Sequence, residues 1–421
     1  MEEKMKLILY SWNANNEQIL ADNLSGLGFE VVWFRKECKH YTRDMELAME
    51  LLPFIHAHGA EAVVSFNYFP MLSMICNTCR IPYYAWVYDC PHFTLYAKQI
   101  ALPCNRIGIF DREMVRHLRE DHGIDTVYHV PLAADVPYFD GIIEQASTEE
   151  KERFRCDISF VGSLYTDAHN YYDRLFGTAS KAADESGIHR QCFAYHEDHL
   201  GQAVLDGRID LHMMQTQMEK LGLMLGEDYD AKPEEILLAA VLEKKVTVEE
   251  RRILLTRMAN YSAGNSGTGN KPDADTGKGL GGQYDFRLYT GSDTCALPAL
   301  DLFHRGTVDY RTQMPLVFAG SKINLNISLR SIHSGIPLRV LDIMACGGFV
   351  LSNWQPEIAE YFAEGTEIVT FDSLEDCLAK AAYYLSHEEE RRQIAANGKR
   401  KVREAFSYLI GLDRLFSPPT L

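Results

Sequence analysis

Between Tyr310 and Leu341 the chain carries Arg311, Lys322, Arg330, His333 and Arg339 but no Asp or Glu, although the whole protein has a formal net charge of −17. Arginine pairs with phosphate oxygens through a bidentate fork and keeps its charge when desolvated. An acidic chain that clears carboxylates from one stretch and stocks it with guanidinium groups is therefore suited to an anion there. The expected chemistry is the capture of a phosphate-bearing ligand.

The local pattern supplies elements to hold those side chains. Ile323–Ser328 alternates and is β-rich, which predicts a half-covered strand. A loop with Arg330, His333, Ser334 and Gly335 follows. Pro337 suits the first turn of a helix running to Met344, and Gly347-Gly348 stops it before a strand at Phe349–Ser352. Strand, glycine-bearing loop, helix and strand form the βαβ arrangement whose helix N-terminus receives phosphates. These elements carry Lys322, Asn326, Arg330, His333, Ser334, Gly335, Ile336, Arg339 and Asp342, with the amides of Ser334–Ile336 placed to face a phosphate group. Gly162-Ser163, after an apolar strand at Cys156–Val161, lets backbone approach the same group.

The first half offers different chemistry. Strand candidates at Lys6–Tyr10, Glu30–Phe34, Ala62–Phe66, Tyr83–Tyr88, Arg106–Phe110 and Val127–Val130 alternate with helical patterns at 14–26, 43–58, 70–79 and 111–121. That alternation predicts a parallel, doubly wound sheet, whose ligands lie beyond the carboxyl ends of the strands. Those ends carry Trp12, Asn13, Asn67, Tyr68 and Tyr88, a mixture of aromatic faces and amides suited to a polyhydroxylated acceptor. Asp89 leaves the apolar strand YYAWVY beside His92, so the pair could act as general base on an acceptor hydroxyl. Capping of the following turn by Asp89 is the alternative.

The stretch GIPLRVLDIMACGGFVLSN resembles the donor-site segment of GT-B glycosyltransferases of the group-1 type, particularly the bacterial CgeB-like, spore-maturation branch. The N-terminal half resembles the uncharacterised domain often found in front of that module. In the broad family a Glu, seven residues and a second Glu precede a Met-Ala-Cys-Gly run. Here Met344-Ala345-Cys346-Gly347 is present, Asp342 stands at the second Glu and Ser334 at the first. The resemblance implies an α/β GT-B fold, with two Rossmann-like domains facing a cleft. It implies sugar transfer from a nucleotide-diphosphate sugar, a UDP-sugar, to an acceptor hydroxyl on a glycan, protein or small molecule. It implies retention of configuration and a ribose contact through Asp342. A cationic cradle for the diphosphate supplies what a metal would otherwise supply, so no metal and no further cofactor are expected. A sugar-nucleotide epimerase and a non-catalytic nucleotide-sugar-binding or assembly protein are the alternatives.

The remaining sequence sets the frame. Length 421 suggests two or three domains of ordinary size, and the resemblance makes these an acceptor domain at 1–140 and a donor domain at 155–405. The polar stretch 136–156 reads as the boundary between them. A helical insertion at 168–260 and a Gly/Ser/Asn-rich flexible loop at 261–283 interrupt the second domain. A C-terminal segment at 406–421 is expected to pack back on the first domain. The acidic balance argues against nucleic acid, and no apolar run reaches the roughly 20 residues of a membrane span. The N-terminus is not that of a secretory signal, so a cytoplasmic location is expected. Cys76-x-x-Cys79 has no partner pair, and His189, His196 and His199 lack the i, i+4 spacing of a helical metal site. The ten cysteines read as buried free thiols. Gly277-Lys278-Gly279 lacks a preceding strand and is not read as a phosphate loop.

Overall fold

The structure is a computed structural model that describes residues 4–166, 170–176, 219, 226–262, 284–295 and 297–417. Of the expected loop at 261–283, residues 261–262 end a helix and 263–283, with the Gly277-Lys278-Gly279 run, lie outside the described residues, as do His189, His196 and His199.

The first sheet contains β1 (Lys6–Ser11), β2 (Glu30–Arg35), β3 (Ala62–Phe66), β4 (Tyr83–Val87), β5 (Asn105–Ile109) and β6 (Val127–His129). They lie in the order β2-β1-β3-β4-β5-β6, with every pairing parallel. Helices cover both faces, so a central strand such as β3 is buried along its whole length rather than in alternation. Ile8 and Tyr10 join the cluster on one face, while Leu7 and Leu9 join the other, as a two-residue period requires. The connecting helices are closed by local chemistry. Asp44 accepts from Leu47 N at 2.9 Å to start Met45–His58, and Gly59 ends that helix at φ 59°.

The strand order reverses between β1 and β3, which places the crevice for a ligand beyond Ser11 and Phe66. The second sheet has β7 (Cys156–Val161), β8 (Phe286–Tyr289), β9 (Ser321–Asn326), β10 (Val350–Asn353) and β11 (Val369–Phe371). Its order, β11-β10-β9-β7-β8, is again wholly parallel and reverses between β7 and β9. Each sheet thus has one switch point.

The stretch 136–156, read from sequence as a polar bridge, is instead two helices, Val136–Gln145 and Thr148–Phe154. The first is capped by Asp135 and the second by a capping box between Ser147 and Glu150. The Ser-x-x-Glu signal was present in the sequence. At the end of the chain, helix Tyr408–Phe416 lies on the first sheet. Tyr128 Oη donates to Leu415 O, and Phe416 packs against Phe29 and Tyr84. A Cβ at Gly411 would sit 2.2 Å from the Trp86 ring, so this seat admits no side chain. No helix among the described residues is long and apolar enough to cross a membrane.

Candidate functional site

A cavity of about 220 Å³ opens at the first switch point, between the two sheets. Trp12–Asn16 line it from the end of β1, and Phe66 and Asn67 from the end of β3. Tyr88 and Asp89 follow β4, and the second domain contributes Tyr310 and Leu338. Asn13 and Asn67 hold left-handed backbone, at φ 68° and 60°. Non-glycine residues there store strain, which concentrates at ligand sites.

The loop after β1 is organised by Glu17, a buried carboxylate that the sequence reading passed over. Its oxygens accept from Ser11 Oγ (2.6 Å), Trp12 N (2.9 Å) and Ala14 N (3.0 Å). Trp12 Nε1 donates to Phe66 O at 2.9 Å, tying β1 to β3. Asn16 faces the cavity and donates to Tyr310 Oη at 3.1 Å. Its Oδ1 is buried and has no partner among the described residues. A buried acceptor without a donor is costly.

Asn67 fixes Asp89. Its Oδ1 accepts from Tyr88 N (2.9 Å) and Asp89 N (3.1 Å), while its Nδ2 donates to Asp89 Oδ2 at 2.6 Å. Asp89 is exposed, lines the cavity and caps no helix. Tyr88 Oη donates to Tyr408 Oη at 3.2 Å, so the C-terminal helix steadies this wall.

Two residues expected here belong elsewhere. Tyr68 is fully buried in the core of the first domain, its ring stacked on Tyr83. Its place after β3 is that of a strand-end residue, but the left-handed turn at Asn67 sends it inward. His92 is also taken up by the fold. Its Nε2 sits 2.7 Å from Thr94 Oγ1 and close to the backbone of Tyr68. Burial pushes its pKa down, against the pull of Asp89, so it holds a loop rather than a substrate.

The cationic cradle expected in the second domain is not assembled as free charges. Lys322 sits at the amino end of β9, away from the crevice, and pairs with Asp157 at 2.8 Å. Arg330 is clamped bidentately by the fully buried Glu250, at 2.7 to 3.0 Å. His333 pairs with Glu243 at 2.8 Å, and that hydrogen bond raises its pKa to about 9. The amides of His333 (2.6 Å) and Ser334 (3.3 Å) donate to Asp111 Oδ2 of the first domain. A carboxylate from the protein thus occupies the position expected for phosphate.

The loop is a latch between domains. Ser334 Oγ lies 2.9 Å from Asp111 and 2.8 Å from Glu357. Glu357 also takes Arg112 N and His129 Nε2, each at 2.9 Å. Gly335 packs so closely on Phe110 that a Cβ would fall 2.8 Å from its ring. Ile336 is buried in the adjacent core. Asn326 is also internal, donating to Ser328 Oγ and Ser352 Oγ at 3.1 and 2.9 Å.

Arg339 and Asp342 remain near the cavity, one turn apart on helix Leu338–Ala345. Asp342 is buried, accepts from Tyr310 Oη at 3.0 Å and lies 3.4 Å from Arg339 Nη1. Burial raises its pKa to about 6 against the opposing pull of Arg339 and Tyr310. Arg339 is also 2.6 Å from Met314 Sδ.

The cation at the second switch point is one the sequence reading missed, Arg251 of helix Glu243–Ser262. It donates to Ser163 O and Ile327 O, beyond the carboxyl ends of β7 and β9. Among the described residues no carboxylate lies within ion-pair distance of it, and burial pushes its pKa down. Tyr165, at φ 55°, stacks its ring on Arg251 with a centroid distance of 4.9 Å, and Lys244 sits 4.8 Å from the same ring. Ser163 thus borders a buried guanidinium, supplied by a helix far from Arg330 in the chain. No pattern near Arg251 in the sequence could have marked it.

Comparison with known proteins agrees with this architecture. The sequence pattern of a family described as glycosyl transferase-like matches residues 279–415, which contain β8 to β11. No curated protein matches the chain in sequence. Among solved structures, a glycosyltransferase from Rickettsia africae ESF-5 superposes with a TM-score of 0.52 at 10% identity, covering 98% of this chain and 97% of that one. Sucrose-phosphate synthase from Thermosynechococcus elongatus superposes at 0.53 with 10% identity and 97% of each chain. The fold is GT-B: two Rossmann-like domains facing a cleft.

Proposed function

We propose that the protein is a glycosyltransferase that moves a sugar from a nucleoside-diphosphate sugar to a hydroxyl of a glycan, protein or small-molecule acceptor. The observation that carries this reading is the interdomain cavity walled by Asn13, Asn16, Asn67 and Asp89. At about 220 Å³ it falls below the roughly 300–1,000 Å³ of pockets for drug-sized ligands. It suits one sugar ring or the reacting end of an acceptor, not a whole nucleotide sugar.

The nucleotide then belongs at the second switch point. Gly162, Ser163 and Tyr165 would border its diphosphate, and Arg251 would offset the charge that develops when the anomeric C–O bond breaks. Helix Leu338–Ala345 has no side chain capping its N-terminus, and Leu338 faces the cavity, so its first amides also favour negative charge there. One such preorganised donor contributes on the order of 3 kcal/mol to the transition state. Asp89, aimed by Asn67, accepts the hydroxyl proton or orients the hydroxyl; Trp12 and Tyr88 give the sugar apolar faces. Asp342 is the ribose ligand of this reading once Tyr310 yields its place. UDP-sugars, retention of configuration and catalysis without a metal at this site complete it.

Incubation with nucleotide sugars tests the proposal. Acceptor-dependent release of nucleoside diphosphate is the expected result. Conversion without acceptor would assign an epimerase, and binding without turnover a non-catalytic binder.

Asp342 adds a pH signature. Its carboxyl goes from 3.8 to about 6 on folding, which at about 1.4 kcal/mol per pH unit is on the order of 3 kcal/mol. The folded state holds this proton more tightly, so stability is full below pH 4 and falls as pH rises towards 6. Asp342→Asn is expected to flatten that part of the profile, as measured by urea unfolding at pH 4 and pH 7.

A further inference from the structure

Outside the cleft, three potential ligand atoms converge on one point. His117 lies in the last turn of helix Arg112–Glu120, His122 follows that helix, and Glu235 lies in the short helix Pro233–Ile236. Glu235 Oε1 is 2.8 Å from His122 Nε2 and 3.0 Å from His117 Nε2. Side chains of His122 and Glu235 are only 9% and 12% exposed.

Two of the three side chains have further partners. His117 Nδ1 is 2.6 Å from Asp121 Oδ2, and Lys232 N donates to Glu235 Oε2 at 2.7 Å. Ligating histidines commonly hand their other ring nitrogen to a carboxylate, which fixes tautomer and orientation. Both nitrogens of His117 face carboxylate oxygens, which accept and do not donate. The ring can serve both by carrying two protons. Alternatively, Nδ1–H serves Asp121 while the Nε2 lone pair joins Glu235 on a shared cation. Tetrahedral zinc, with bonds of about 2.0–2.1 Å to nitrogen, separates its ligand atoms by about 3.3 Å. The two histidine–Glu235 distances fall a few tenths of an ångström short of that spacing, and all three ligand atoms lie within 4.8 Å of one another.

We propose that His117, His122 and Glu235 form a site for a divalent cation of the zinc type that fastens the segment around Glu235 to the first domain. Two histidines and a carboxylate form a recognised zinc ligand set, with further positions left for water. The same segment already lies on the first domain upstream. Tyr229 bridges to Ala97, and Asp228 takes Thr42 Oγ1 and Arg43 Nε at 2.8 Å each. Downstream it leads through a π-helical turn, Leu237–Leu242, into the helix that carries Glu250 and Arg251. A cation would therefore pin the entrance of that helix to the other domain. None of its ligands lines the cavity, so the proposal stands apart from sugar transfer.

The test uses chelator-stripped full-length protein titrated with Zn²⁺ by calorimetry, with Co²⁺ as a spectroscopic probe. One saturable equivalent is expected, with cobalt d–d bands of low symmetry and no thiolate charge transfer. His122→Asn and Glu235→Gln should remove it, and Asp121→Asn should weaken it about 10–100-fold, as loss of an outer partner does. Circular dichroism in the absence of metal confirms that each variant folds, and the wild-type cobalt spectrum decides the matter if one does not. No saturable binding, thiolate ligation, or binding that survives in folded Glu235→Gln would overturn the proposal.

Discussion

Replacing Glu250 with Ala is expected to destabilise the second domain by about 3–5 kcal/mol, because it strands a buried guanidinium without its counter-ion. Glu250 is fully buried, and Arg330 meets it through Nε and Nη2 at 2.7 to 3.0 Å with its side chain only 10% exposed. Removing both charges, in Arg330→Met with Glu250→Leu, should restore most of the loss, since a well-packed apolar pair often equals a buried ion pair. Denaturant unfolding of the three variants measures this. A loss below about 1 kcal/mol in Glu250→Ala would mean that water reaches the pair, as it does for surface ion pairs. Arg330 would then be free to serve a ligand.

Asp89→Asn is expected to lower acceptor-dependent turnover by about 10²–10⁴-fold, the usual contribution of a positioned acid–base group. Its stability should stay within about 0.5 kcal/mol of wild type, as for exposed positions outside caps and cores. Asp89 is exposed and its side chain is held by Asn67 Nδ2 at 2.6 Å. The backbone of its turn is held by Asn67 Oδ1. Asn67→Ala should therefore lose both turnover and stability, whereas Asp89→Asn should lose turnover alone. Equal loss of stability in both would make Asp89 a turn residue.

The contrast between these two sites shows what was legible in the sequence. The six strands of the first sheet and the helices between them follow from period, caps and breakers, all local signals, and the structure moves the strand boundaries by at most one residue and the helix boundaries by at most three. The placement of Asn13, Asn67 and Asp89 at the cavity was legible for the same reason, since each stands within two residues of the end of a strand whose carboxyl end must face the crevice. Charge balance was not. The window from Tyr310 to Leu341 is free of carboxylates along the chain, but not in space: Asp157, Glu250 and Glu243 come from elsewhere to meet Lys322, Arg330 and the His333 ring, and Asp111 to meet the amides of His333 and Ser334. Arg251 was hidden by the same effect, because its value lies in touching Ser163 O and Ile327 O, 88 and 76 residues away. A sequence window sees neighbours in order, while electrostatics acts between neighbours in space.

The most direct measurement is thermal unfolding of the full-length protein against uridine, guanosine and thymidine diphosphates and their sugars, repeated with Arg251→Met. One nucleotide should stabilise the wild type by about 2.7 kcal/mol at a hundredfold excess over its Kd, and the response should vanish in the folded variant. A protein that ignores every nucleotide, or a variant that responds as fully as wild type, would contradict nucleotide-sugar binding at the β7–β9 switch point.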